Sequence, residues 1–289
     1  MFGDVTRAGL PGWHFHPDVW LLLALLEGAY LLALRRHAAR TGEGAARPAQ
    51  IVLFSAGVAT LWLASDWPVH DLGEGYLYSF HMVQHLLLTL VATPLLLLGT
   101  PPWLARRLLS PQWLMKLVRG ISRPVPNLAQ ANVILILSHW PLVVDATLRN
   151  HPLHFVAHAV LIASASLLWL PVVSPLREVP RIAPPAQMLY LFLQTIIPTV
   201  PASFLTFGKK ALYPIYESFP RLWGISAVGD QQVAGLIMKI GAGAYLWTVI
   251  IVIFFRWYAR EERSKADEVL LWDDVERELR RLERPEGAR

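Results

Sequence analysis

The sequence predicts an all-α, multi-pass transmembrane helix bundle of about seven spans, N-terminus outside and C-terminus cytoplasmic, ending in a short amphipathic cytoplasmic helix. Three observations carry that expectation. The composition is too apolar for an ordinary soluble domain, with 54% hydrophobic residues, 16% charged residues and a mean hydropathy of +0.40 over 289 residues. The apolar residues gather into segments of about 20, the length a helix needs to cross a hydrocarbon core of about 30 Å. The basic residues fall on alternate connections between those segments.

The N-terminal run MFGDVTRAGLPGWHFHPDVW lacks the basic start and small-residue cleavage site of a signal peptide, so the first apolar segment is expected to remain as a span. That segment covers about 18–35, and the second, the shortest, covers 50–66 and is bounded by Asp66 and Pro68. The third covers 76–99. The fourth, 125–148, contains Pro141, which should kink the helix and free a backbone carbonyl. The fifth, 154–173, follows Asn150, His151 and Pro152, a sequence suited to starting a helix. The sixth and seventh cover 186–207 and 232–256.

Direction follows from the connections. Arg35, Arg36, Arg40 and Arg47 lie in the first, Arg106, Arg107, Lys116, Arg119 and Arg123 in the third, and Arg177 and Arg181 in the fifth. The second, around Asp66, His70, Asp71 and Glu74, has neither Lys nor Arg, and the fourth has only Arg149. The positive-inside rule therefore puts the odd-numbered connections in the cytoplasm. The sixth, with Lys209, Lys210 and Arg221, runs mildly against this but also carries Glu217 and Asp230. Beyond the membrane domain (1–256) lies a charged tail (257–289), in which Val269, Leu270, Leu271, Val275, Leu279 and Leu282 recur at roughly helical spacing.

Cysteine is absent, which excludes disulfides, thiolate metal sites, CxxC redox chemistry and a cysteine nucleophile. The net charge of +5 is distributed along the chain, so it reads as a topology signal and not as a nucleic-acid surface. No phosphate loop, nucleophile elbow, dinucleotide fingerprint or zinc-protease motif occurs, and no enzymatic activity is expected.

The chemistry sits in the ten histidines, most of which fall at the outer ends of the spans. His81 and His85 share one face of the third span at i and i+4, and His154 and His158 repeat the spacing at the start of the fifth. His139 lies in the fourth, just before Pro141. At 1.5 Å per residue His85, His139 and His158 each lie on the order of 10 Å below the outer surface, with His81 and His154 above them. Ionisable side chains are costly in hydrocarbon and normally face the bundle interior at a functional site. The competing reading of a single such histidine is an interhelical hydrogen bond worth about 1 kcal/mol; matched depths and two helical pairs favour a metal centre. His70 and His151 are expected to be more exposed and to form an access point, while His14, His16 and His37 read as surface or interface residues. Imidazole suits copper, zinc, iron and haem alike. Met82 and Met238 would add soft ligands for Cu(I), although membrane methionines are usually packing residues. Glu27 and Lys239, both on the order of 10 Å deep, are expected to pair with each other or to leave Lys239 neutral.

Several motifs make the chain recognisable. The run Ser79-Phe80-His81-Met82-Val83-Gln84-His85, Thr93-Pro94-Leu95, Gly99-Thr100-Pro101-Pro102, His139-Trp140-Pro141 with Asp145, His151-Pro152-Leu153-His154 with His158, and Trp169-Leu170-Pro171-Val172 occur in order. They are followed by Leu212-Tyr213-Pro214-Ile215-Tyr216 and by Asp230-Gln231-Gln232 through Met238. This pattern resembles the CtaG family of assembly factors for caa(3)-type cytochrome c oxidase. The resemblance implies a multi-pass protein of the bacterial cytoplasmic membrane that matures a haem-copper oxidase by supplying copper. Its partners would be oxidase subunits, the lipid bilayer and a copper donor protein. It carries the family's histidines over to His81, His85, His139, His151, His154 and His158, and matches Asp230 and Gln231 to a polar motif at the outer mouth of the last span. It departs after Met238, where Lys239-Ile240-Gly241 stands in place of an aromatic residue and a Pro-Gly turn. Three other functions remain open at this point: a haem-binding redox protein with two axial imidazoles, a metal or proton transporter, and a scaffold whose histidines only tie helices together.

Overall fold

The computed structural model describes residues 12–282, and all regular structure among them is helical. The first helix, α1 (Pro17–Thr41), opens with Pro17 at its first position and closes on Gly42 in the left-handed conformation (φ 69°). α2 (Pro48–Ser65) and the short α3 (Val69–Gly75) form one membrane-length run. The third span comprises α4 (Tyr78–Leu86), a π-helical segment (Leu87–Ala92) and α5 (Thr93–Gly99). Pro94 has no N–H to give to the preceding turn, and the helix widens just before it. Thr93 Oγ1 donates to Leu88 O at 2.7 Å, and Trp169 Nε1 donates to Thr89 O at 2.9 Å, so carbonyls released by the widened turn are satisfied.

Short helices α6 (Pro102–Leu108) and α7 (Gln112–Ile121) carry Arg106, Arg107, Lys116 and Arg119 of the next connection. α8 (Pro124–Ser138) and α9 (Pro141–Arg149) form the kinked fourth element, bent by 65° where Pro141 was expected to break it. α10 (His151–Val173) is capped by Asn150, whose side chain accepts from Leu153 N. α11 (Pro184–Ile196) and α12 (Thr199–Phe207) make the sixth span. The last consists of α13 (Ala227–Leu236), a π-helical segment (Ile237–Gly241) and α14 (Ala242–Leu282). Among the described residues, six helices are long and apolar enough to cross a membrane, and the bent α8–α9 pair makes a seventh. The outward side chains of α1, such as Leu21, Leu25 and Trp20, are exposed, as a helix bathed in lipid requires.

The structure departs from the sequence reading in three places. The stretch holding His70, Asp71 and Glu74 is not an irregular connection but the helix α3, packed against α4. The tail is helical, as a direct extension of the last span through Leu282 and not as a separate helix; Val275 and Leu279 on it are exposed, while the side chains of Val269, Leu270, Leu271 and Leu282 lie outside the described residues. Glu27 and Lys239 do not pair. Ser55 Oγ donates to Glu27 Oε1 at 2.6 Å across the α1–α2 contact, whereas Lys239 sits exposed in the last π-helical segment beside α4 and α12. Depth alone suggests their pairing, but α1 packs on α2, whereas the π-helical segment that carries Lys239 packs on α4 and α12.

Candidate metal centre

The centre is built on α4, and much of the surrounding structure holds that helix in place. Asp230, 1% exposed at the start of α13, accepts hydrogen bonds from Tyr78 N at 2.6 Å and Ser79 N at 3.0 Å. It thus satisfies two first-turn amides of α4 with a charged acceptor placed where the helix dipole favours it. Gly73 brings α3 close: a Cβ there would lie 3.0 Å from the His81 amide nitrogen. The neighbouring Gln231 supports the long loop before α13, accepting from Leu212 N at 2.5 Å. Asp230 and Gln231 are therefore positioning residues.

Held this way, α4 turns His81 and His85 inward, one helical turn apart, with ring centroids 4.2 Å from each other. α10 presents His158 to both, its ring 6.1 Å from His81 and 5.3 Å from His85. One nitrogen from each of these three histidines lies within 4.8 Å of the other two. Three imidazoles around one ion at about 2.0–2.1 Å would have nitrogens roughly 3.5 Å apart, so small side-chain rotations close the site. His154 adjoins it, with Nε2 3.1 Å from His158 Nε2. The Nδ1 atoms of His81 and His85 are buried and have no hydrogen-bond partner within the protein. Buried polar atoms of this kind mark a missing ligand or proton partner.

His139 approaches from the α8–α9 kink, 5.7 Å from the His85 ring. Its Nδ1 lies 2.7 Å from Leu135 O, which fixes Nδ1 as the proton carrier and leaves the buried Nε2 as a free lone pair. The carbonyl of His139, freed by the kink, accepts from Tyr213 Oη at 2.8 Å. Burial pushes the Tyr213 phenol up to about 12, so it remains a donor. Met82 and Met238, both buried, line a cavity of about 80 Å³ together with His85, His139 and Lys239. The methionines also pack within an apolar cluster of Val144, Leu205 and Tyr213, which is their ordinary role.

The model for the cytochrome c oxidase caa3 assembly factor family (Caa3_CtaG) matches residues 28–260. The chain belongs to this family. Searches of curated proteins and of solved structures give no match.

Of the assembly factor's expected site residues, His81, His85 and His158 converge, while His154 adjoins His158 and His139 adjoins His85. His151 does not join the cluster: its side chain is 90% exposed at the rim, with Nδ1 4.0 Å from Glu74. Depth counted along the helices places His139 in the central layer and His81 above it. In the structure His81, not His139, completes the group with His85 and His158, while His139, at the break between α8 and α9, keeps its ring 5.7 Å from His85. Glu74, which the sequence places only in the second connection, joins the site. Its Oε1 contacts His154 Nδ1 and lies 3.2 Å from His70 Nδ1. Its i+4 spacing from His70 was the available signal, hidden because the stretch read as a loop. His14 and His16, surface or interface residues by the sequence, engage Asp71 at 3.3 and 2.8 Å, and His16 lies edge-on to His70. His37, stacked on Trp103, remains an ordinary interface residue.

Proposed function

We propose that this assembly factor holds copper as cargo on His81, His85 and His158 at the outer face of the bacterial cytoplasmic membrane and delivers it to a subunit of a haem-copper oxidase. The observation that carries this reading is the convergence of three imidazoles from two helices, with unpartnered buried nitrogens on His81 and His85. Imidazole sites bind Cu(II) more tightly than other first-row divalent ions, and an oxidase under assembly requires copper. Three protein ligands leave a position for an incoming acceptor ligand, and His154 and His139 stand beside the triad to share the ion during exchange. The outward direction of this end follows from the distribution of Arg and Lys.

The alternatives fit less well. A haem would need a slot for a macrocycle much wider than an imidazole, but the histidine rings already crowd one another at 4.2–6.1 Å. Against a conduit, the bundle beyond the triad closes on an apolar cluster of Leu90, Leu168, Trp169, Leu191 and Leu246. The deciding experiment compares purified wild type with a His81→Asn, His85→Asn, His158→Asn variant, both well folded. Retained copper in wild type alone, together with loss of copper from the oxidase in cells carrying the variant, supports the proposal. Equal copper in both proteins contradicts it, and full oxidase assembly by the variant would favour a scaffold.

A further inference from the structure

Beside the triad, and nearer the mouth of the bundle, α3 and α10 bring together a second group of donors. Glu74 Oε1 lies 3.2 Å from His70 Nδ1 and contacts His154 Nδ1, while Oε2 faces the exposed His151 at 4.0 Å. The Glu74 side chain is only 15% exposed and that of His154 only 6%. A carboxylate buried among imidazoles is costly without a positive charge beside it, which a proton on one ring or a metal ion can supply. A mixed carboxylate and imidazole set suits a divalent transition ion such as Cu(II) or Zn(II), and the hard oxygen disfavours Cu(I).

Its position relates this group to the triad. The two nitrogens of His154 face opposite ways, Nδ1 toward Glu74 and Nε2 toward His158, 3.1 Å away. A cavity of about 460 Å³ is lined by His16, His70, Glu74, His151, His154 and His158, so one space adjoins both the rim and the triad. Imidazole rings step along it from His16 to His70 at 5.2 Å, to His154 at 6.1 Å and to His158 at 4.2 Å. We infer that His70, Glu74 and His154 form a second, divalent-metal site that loads the inner triad, with His151 as its exposed first contact. The loading role rests on the copper reading of the triad; the existence of the second site does not.

Titrating metal-free full-length protein with Cu(II), and separately with Zn(II), tests both parts. Wild type is expected to retain about two ions per chain, and the isosteric Glu74→Gln variant and the triad variant about one each, with Glu74→Gln filling its remaining site on the order of tenfold more slowly. Should Glu74→Gln prove polydisperse, His70→Asn removes a donor of the same site from a less buried position. The Cu(II) electron paramagnetic resonance signal of the triad variant should vanish when Glu74→Gln is added. Retention of both ions by Glu74→Gln, or no ion on the triad variant, overturns the second site. Wild-type filling rates in Glu74→Gln overturn its loading role. A triad variant that keeps one ion while Glu74→Gln keeps none would leave this site standing and sink the inner one.

Discussion

Replacing Asp230 by alanine should loosen the helix that carries two of the three triad histidines without touching a histidine. The buried carboxylate accepts from Tyr78 N at 2.6 Å and from Ser79 N at 3.0 Å. Hydrogen bonds to a charged group contribute about 1.5–3 kcal/mol each, and their loss leaves two buried amides without partners. The expected destabilisation is about 3–5 kcal/mol, at the upper end for a single substitution. Asp230→Asn keeps one acceptor oxygen and should lose about half as much. Because these bonds set where α4 begins, the same change should displace His81 and His85 and lower metal affinity by about 10–100-fold, as disturbed supporting shells do. Denaturant unfolding in detergent and a metal titration on the same preparations measure both effects. The reasoning is refuted if Asp230→Ala unfolds within about 0.5 kcal/mol of wild type, or if it is destabilised but binds metal with unchanged affinity.

Other consequences are more local. Gly73→Ala would push a methyl against the His81 backbone and should cost about 1–3 kcal/mol in the same unfolding assay, since overpacking is relieved only by moving α3 from α4. Tyr213→Phe should cost about 1 kcal/mol by removing the donor to His139 O. The folded-state value for Tyr213 is raised from 10.0 to about 12, so its contribution is complete below pH 10 and fades toward pH 12; the difference between wild type and Tyr213→Phe should follow that window. Glu27→Gln and Lys239→Met should be additive within about 0.3–0.5 kcal/mol in a double-mutant cycle, because the two side chains do not meet. The absence of cysteine makes topology directly testable: an impermeant maleimide should label Asn150→Cys on intact cells, and Ser110→Cys only after permeabilisation.

What was legible in the sequence was what depends on local chemistry. Apolar length located the spans, Pro141 located the bend, and i, i+4 histidine pairs located the faces that meet. Depth counted along straight helices does not say which imidazoles converge: the 65° bend falls at His139 itself, and the carbonyl there takes Tyr213, far along the chain. Depth likewise suggested a Glu27–Lys239 pair that helix placement forbids. The role of Glu74 is hard to read for a different reason: α3 is only seven residues long and contains two glycines, poor helix formers, and its helical form depends on packing against α4. The link from Asp230 to the start of α4 spans 152 residues and leaves no local pattern at all.

The most direct test of the central claim is the X-ray absorption spectrum of the copper-loaded wild-type protein at the copper edge. Binding on His81, His85 and His158 predicts a first shell of light scatterers at about 2.0 Å with imidazole outer-shell features, and the outer-shell intensity should drop when His158 is replaced by Asn. A shell dominated by sulfur at about 2.3 Å would place the ion on Met82 and Met238 instead, and a spectrum unchanged by His158→Asn would contradict the triad.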